Sequence, residues 1–112
     1  MTVKMTVVYG TPDDKEAFEK HYLEVHKPIV ERWPGLQRVE LARVSGGPMG
    51  SPSPYFWQAD LYFADEAGLN EALGSPAGAE AGQDFGKIAP PGSFMTVSTI
   101  VVAINAGMLK IK

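Results

Sequence analysis

From Thr2 to Tyr9 the chain alternates with a period of two. Val3, Met5, Val7 and Tyr9 fall on one side and Lys4 and Thr6 on the other, which is the spacing of a half-buried strand. Gly10-Thr11-Pro12-Asp13-Asp14 interrupts it. Thr11 is the expected N-cap of a following helix, Pro12 fits the first helical position, and two aspartates suit the positive end of the helix dipole. The period then lengthens: at ~100° per residue Phe18, Tyr22, Val25, Ile29 and Trp33 share a narrow arc, and most charges lie elsewhere, so an amphipathic helix is predicted. Pro28 falls inside this pattern. Its missing N–H and its clash with the Glu24 carbonyl predict a kink or a local loosening beside His26. Trp33-Pro34-Gly35 ends the helix.

Leu36 to Val44, with Val39 and Leu41 on one face, reads as a second strand, and Tyr55 to Phe63 as a third. Between them Ser45 to Pro54 holds three glycines and three prolines, which predicts a long and mobile loop. Asp65 is placed to cap a short helix with Ala67, Leu69, Ala72 and Leu73, and Ser75-Pro76 repeats the cap-then-proline signal for a helix to about Lys87. Gly78, Gly82 and Gly86 in that helix predict a flat, closely packed face, or else a flexible lid. Ala89-Pro90-Pro91-Gly92 breaks it, and Ser93 to Ala103 reads as the last strand.

Strand–helix–strand, twice over, is the order of an α+β protein of the ferredoxin-like split β-α-β type: a four-stranded antiparallel sheet with its helices on one face. Residues 1–104 are expected to form a single domain and 105–112 a short tail. Strand parity sends Val8, Val44, Phe56, Tyr62, Phe94, Ile100 and Val102 to the face away from the helices. That patch is too large to leave bare, so a two-fold homodimer, closing into a dimeric α+β barrel, is expected to cover it.

Composition narrows the classes. The 112 residues are 45% apolar and 21% charged, so the chain should fold. A net charge of −3 gives no surplus for phosphate neutralisation, and nucleic acid is not an expected partner. With no cysteine there is no disulfide, thiolate-ligated zinc, iron–sulfur cluster or cysteine nucleophile. The longest apolar run, Val97 to Ala106, falls short of the ~20 residues a membrane span needs. No basic leader precedes the first strand. A cytoplasmic protein without membrane attachment is the expectation.

The two histidines, His21 and His26, both lie on the first helix. On an ideal α-helix five residues place them ~140° apart, unlike the i, i+4 pair that shares one metal, so no metal site is expected. His26 follows Tyr22 by one turn on the flank of the apolar arc, whereas His21 sits on the Glu-rich flank. His26 is the candidate for proton transfer. Tyr9, Tyr22, Trp33 and Trp57 are expected to line an apolar cleft around it, and burial there should keep the imidazole neutral. Glu40 and Asp60 lie inside strands, with Arg38 on the same face as Glu40, and a structural ion cluster at the dimer interface explains them. Gly46-Gly47-Pro48-Met49-Gly50 lacks the lysine and following helix of a phosphate loop, and no serine sits in a nucleophile elbow.

His26-Lys27-Pro28-Ile29, then Pro34-Gly35-Leu36, then Leu61-Tyr62-Phe63 leading into an acidic cap, are residues with a familiar order and spacing. From about Val3 to Val102 the chain resembles the EthD-like family, named for a component of ethyl tert-butyl ether degradation, in the dimeric α+β barrel superfamily. The resemblance implies a homodimer with a shared barrel and one cleft per subunit between helices and sheet. Relatives include small isomerases, polyketide cyclases and cofactor-free monooxygenases acting on aromatic or lactone compounds. The family's His-x-Pro histidine maps to His26; Ile29 stands where leucine is common and His21 where an aromatic often stands. Two readings follow: a cofactor-independent enzyme on a small hydrophobic carbonyl or phenolic compound, or a non-catalytic ligand-binding or accessory protein of a degradation pathway.

Overall fold

In the computed structural model, which describes residues 1–108, the alternating segments become four strands. They are β1 (Val3–Gly10), β2 (Arg38–Arg43), β3 (Tyr55–Phe63) and β4 (Phe94–Thr99), antiparallel in the order β2-β3-β1-β4. The helical segments are α1 (Lys15–His21), a π-helical turn (Tyr22–His26), α2 (Lys27–Val30), α3 (Glu66–Leu73) and α4 (Pro76–Ile88). They cover one face of the sheet. The architecture is the expected α+β, ferredoxin-like arrangement.

The first helix starts later than the sequence suggests. Asp14, not Thr11, is the N-cap, its Oδ1 accepting from the Ala17 N–H at 3.0 Å. Thr11 is spent elsewhere: both its N–H and its hydroxyl donate to the Pro54 carbonyl, fastening the start of β3. An aspartate caps at least as well as a threonine, so the helix begins at the next available acceptor. Asp65 and Ser75 cap α3 and α4 as expected, through Gly68 and Gly78 N–H groups.

Pro28 leaves a different mark from a simple kink. The Lys27 N–H reaches past Leu23 to the Tyr22 carbonyl, the i→i+5 bond of a π turn, immediately before the proline. The loosening expected beside His26 takes this form.

Across β1 and β3 the pairs Val3–Phe63, Met5–Leu61, Val7–Ala59 and Tyr9–Trp57 form the floor of the core. Tyr9 packs edge-on against Phe18 and Tyr22 and lies beside Phe85, so residues from β1, α1, the π turn and α4 meet over one spot. The register shifts after Tyr9, where Gly10 pairs with Tyr55. This bulge turns Phe56 inward with Trp57. Phe56 is only 8% exposed and packs on Phe18 and Trp57, which corrects its assignment to the outer face.

The outer face is therefore more polar than its alternation suggests. Its centre carries Asp60, which accepts from Thr6 at 2.5 Å and from Gln58 at 3.1 Å with Lys4 nearby, and Glu40, bonded to Tyr62 and Arg38. Apolar exposure lies instead on β4 and beyond. The final strand stops at Thr99 rather than Ala103, because its pairing with β1 ends at Val3. Phe94, Met95, Val97, Val101, Val102 and Ile104 are all largely exposed. Of the expected tail, Ala106–Met108 forms a 3₁₀ turn; residues 109–112 lie outside the described residues.

The Ser45–Pro54 loop contains a 3₁₀ turn at Pro48–Gly50, closed by the Ser51 N–H donating to the Pro48 carbonyl and flanked by the Gly47 N–H donating to the Ser51 carbonyl. Within it Met49 adopts a left-handed φ of 57°, unusual for a side chain. Of the three spaced glycines only Gly78 has no room for a Cβ, which would lie 2.2 Å from the Ala72 carbonyl oxygen. Gly82 and Gly86 face open space, so the flat packing face is confined to the start of α4.

Candidate functional site

A cleft opens between the sheet and the helices. β1 supplies Met5, Val7 and Tyr9, the π turn Tyr22 and His26, and α4 Gly82 and Phe85, with Trp33 and Met95 at other points of the wall. Including its mouth it measures about 420 Å³, and the cavity proper about 70 Å³. A second hollow of about 270 Å³ lies between α2 and β2, lined by Tyr22, Lys27, Val30, Glu31, Val39 and Leu41. It is roomier, but of its lining only the Tyr22 hydroxyl, shared with the first cleft, is a buried ionisable group. Of the two, only the first cleft is lined by the buried histidine.

His26 is 5% exposed, and its Nδ1 lies 2.8 Å from Oδ2 of Asp84, itself 8% exposed. The other carboxylate oxygen, Oδ1, is 2.8 Å from Nε2 of His21. Asp84 thus joins the two histidines. An ionised carboxylate only accepts hydrogen bonds, so both ring nitrogens must carry protons toward it. Nε2 of His26 has no protein partner among the described residues, and on the cleft wall it is the ring nitrogen with a free lone pair.

The π turn explains how both histidines reach one carboxylate. On a regular α-helix they would point well apart; an i→i+5 turn brings residues five apart roughly into line. The ~140° separation expected from the sequence does not hold here, because Tyr22–His26 is not α-helical. Asp84 is the residue of this candidate site that the spacing of the histidines does not reveal. A signal for it was present: Ala77, Ala81 and Asp84 follow the i, i+4, i+7 spacing of one face of α4, putting an acid on the buried stripe.

Burial lowers the His26 pKa from its ordinary value, and the opposing hydrogen bond to Asp84 does not overcome it. For Asp84, burial alone would raise the pKa, but the hydrogen bonds from His21 and His26 outweigh it and hold the carboxyl below the usual range. A neutral His26 beside an ionised Asp84 is the resulting state at neutral pH. The carboxylate beside His26 is Asp84; Asp60 faces the other side of the sheet, as parity indicates. Burial raises the Tyr22 hydroxyl to about 12 and the Tyr9 hydroxyl further, so both stay protonated as potential donors.

Both shifts make stability fall with acid. A depressed pKa means that the unfolded chain binds protons more readily, so the contribution is present above the unfolded value and lost as pH falls through the folded one. For His26 the loss begins near 6.5, and for Asp84 near 3.8. The melting temperature of the wild type is expected to drop between pH 7 and 5, and His26→Gln should flatten that part of the curve. Equal slopes in the two proteins would show that His26 does not titrate as a buried group.

Of the aromatic candidates, Tyr9, Tyr22 and Trp33 line the cleft beside His26. The Tyr22 and His26 rings are 4.8 Å apart. Trp57 stands behind this wall, 5.4 Å from the Tyr22 ring and outside the lining. The indole N–H groups of Trp33 and Trp57 are buried without a protein partner. Among the described residues no group of three or more His, Asp or Glu side chains converges to hold a metal ion, and no helix is long and apolar enough to cross a membrane.

Sheet order, helical cover and an aromatic cleft between the two layers define a ferredoxin-like α+β protein. The EthD domain model matches residues 12–91, and the chain belongs to the EthD family. It is 34% identical over 92 residues to an uncharacterised 11.0 kDa protein from the thcB-thcC intergenic region of Rhodococcus erythropolis, covering 82% of this chain and 88% of that one. It superposes on an EthD family protein from Bacillus halodurans with a TM-score of 0.85 and 30% identity, over 90% of this chain and all of the other. SnoaB, a cofactor-independent oxygenase from Streptomyces nogalater, shares the fold at a TM-score of 0.69 and 16% identity, over 92% of this chain and 96% of that one.

Proposed function

We propose that this protein is a cofactor-independent proton-transfer enzyme for a small hydrophobic carbonyl or phenolic compound, with His26 as base and Asp84 as its orienting carboxylate. The supporting observation is the Nδ1–H of His26 directed at Asp84, which leaves Nε2 basic on an apolar wall. The lone pair of Nε2 takes a proton from a phenolic O–H or from a carbon beside a carbonyl. The substrate becomes a phenolate or enolate, and His26 an imidazolium paired with Asp84. Return of that proton to another atom isomerises or cyclises the compound, and His26 is neutral again. The protonated Tyr22 hydroxyl beside His26 is a candidate hydrogen-bond donor to the developing oxyanion.

The test is hydrogen exchange in D₂O on a panel of small cyclic ketones, read by loss of the proton signal beside the carbonyl. Exchange above the buffer rate in wild type and at the buffer rate in His26→Gln supports the reading. Binding without exchange would favour the second reading, a ligand-binding accessory protein.

The proposed working form is a cytoplasmic homodimer. Relatives of this fold from Jannaschia and Bacteroides fragilis are described as dimeric. In this chain an exposed apolar row on the cleft side of β4 runs through Met95 and Val97, with Val101 and Val102 beyond the strand, and Met95 also lines the cleft. A second copy seated there would remove the row from water and close the cleft mouth. Sedimentation equilibrium at micromolar concentration should give twice 12.1 kDa, and Val97→Asp should give a folded monomer. A wild-type monomer would remove the dimer.

A further inference from the structure

His21 enters no step of the proton transfer above, yet it makes one of the two hydrogen bonds that hold Asp84. Its side chain is 38% exposed, whereas Asp84 and His26 are buried. The three groups form a chain from solvent to cleft: His21 Nε2, Asp84 Oδ1, Asp84 Oδ2, His26 Nδ1, each contact 2.8 Å. The ionisable groups that bear on Asp84 from the packed elements are the two histidines and, from β1, the Tyr9 hydroxyl. No lysine or arginine pairs with it among the described residues.

We propose that His21 is a positioning residue, whose N–H fixes the rotamer of Asp84 so that the carboxylate can select the Nδ1–H tautomer of His26. This rests on the reading of His26 as the base, and it gives the π turn a purpose: without that turn His21 would not share a face with His26. The terminal torsion of an aspartate is broad, and a donor at each oxygen narrows the angle at which the carboxylate plane meets the His26 ring. With His21 removed, Oδ1 has no protein donor, the carboxylate turns, and His26 is free to carry its proton on Nε2. In that tautomer the atom facing the cleft is a donor and cannot act as a base. Outer partners of this kind typically change activity by ~10–100-fold without touching the reacting atoms.

The glutamine side-chain nitrogen occupies nearly the place of histidine Nε2, so His21→Gln keeps the donor and His21→Ala removes it. The experiment is ¹⁵N NMR of the His26 ring at neutral pH in wild type and both variants, without substrate. Wild type and His21→Gln are expected to show a protonated Nδ1 and an unprotonated Nε2, and His21→Ala averaged signals. The same wild-type signals in His21→Ala would overturn the proposal, as would averaged signals in His21→Gln. The readout separates this proposal from the functional one: a fixed tautomer that depends on His21, in a protein that exchanges no substrate proton, refutes the base role and leaves the positioning role standing. Where a substrate is turned over, His21→Ala should lower kcat ~10-fold with KM little changed, and His21→Gln should restore most of it.

Discussion

Replacing His26 by glutamine is expected to leave the fold intact and to lower turnover by ~10²-fold or more, the contribution of a positioned general base. Glutamine retains a polar tip of similar reach but has no basic lone pair. Asp84→Asn is expected to cost as much. Its amide nitrogen would face His26 as a donor or force the proton onto Nε2, so the base would be present in the wrong tautomer. The check is turnover alongside circular dichroism and melting in each variant. A full rate in His26→Gln with a native spectrum would reduce the histidine to a packing role. A full rate in Asp84→Asn alone would show that the tautomer is not held by this carboxylate.

The largest effect on stability is expected at Phe56. Phe56→Asp should unfold each chain rather than separate two chains, because the ring packs under α1 against Phe18 and Trp57. A carboxylate there would stand among aromatic rings, with the exposed Lys15 ammonium, 5.8 Å from the ring centre, as the cation beside it. Removing the ring adds ~3–5 kcal/mol of lost packing, comparable to the whole stability of a small domain. Phe94, on the outer face against Tyr55 and half exposed, should tolerate the same change as a folded protein. Far-ultraviolet circular dichroism distinguishes them. A folded Phe56→Asp would mean that the side chain points outward and that the bulge after Tyr9 is misplaced.

That bulge marks where sequence patterning stops being readable. Tyr55–Phe63 was legible to the residue because proline precedes it and an acidic cap follows. Its alternation, however, could not announce a register shift that depends on Gly10 across the sheet. The end of the final strand is illegible for a similar reason: Ile100 to Ala103 has a strand's composition, but the pairing with β1 ends where Val3 faces Thr99. Composition sets propensity, while the neighbouring strand sets length.

At the site, His26, Tyr9, Tyr22 and Trp33 were legible from periodicity and from the His-x-Pro resemblance. Asp84 was not, because it lies in a helix whose glycines dominate its pattern and its partner is 58 residues away. The role of His21 was hidden more deeply. Its angle to His26 follows from a helix geometry that Pro28 disturbs, and ideal α-helical spacing put the two on opposite flanks.

The central claim is that a small carbonyl or phenolic compound sits in the cleft against Nε2 of His26. It is tested most directly by titrating the labelled protein with phenol and with cyclohexenone and following its aromatic-ring and methyl signals by NMR. Saturable shifts at Tyr22, His26, Trp33 and Phe85, lost for His26 contacts in His26→Gln, are the expected result. Shifts confined to Val39 and Leu41 in the hollow beside β2, with His26 unmoved at saturation, would contradict it.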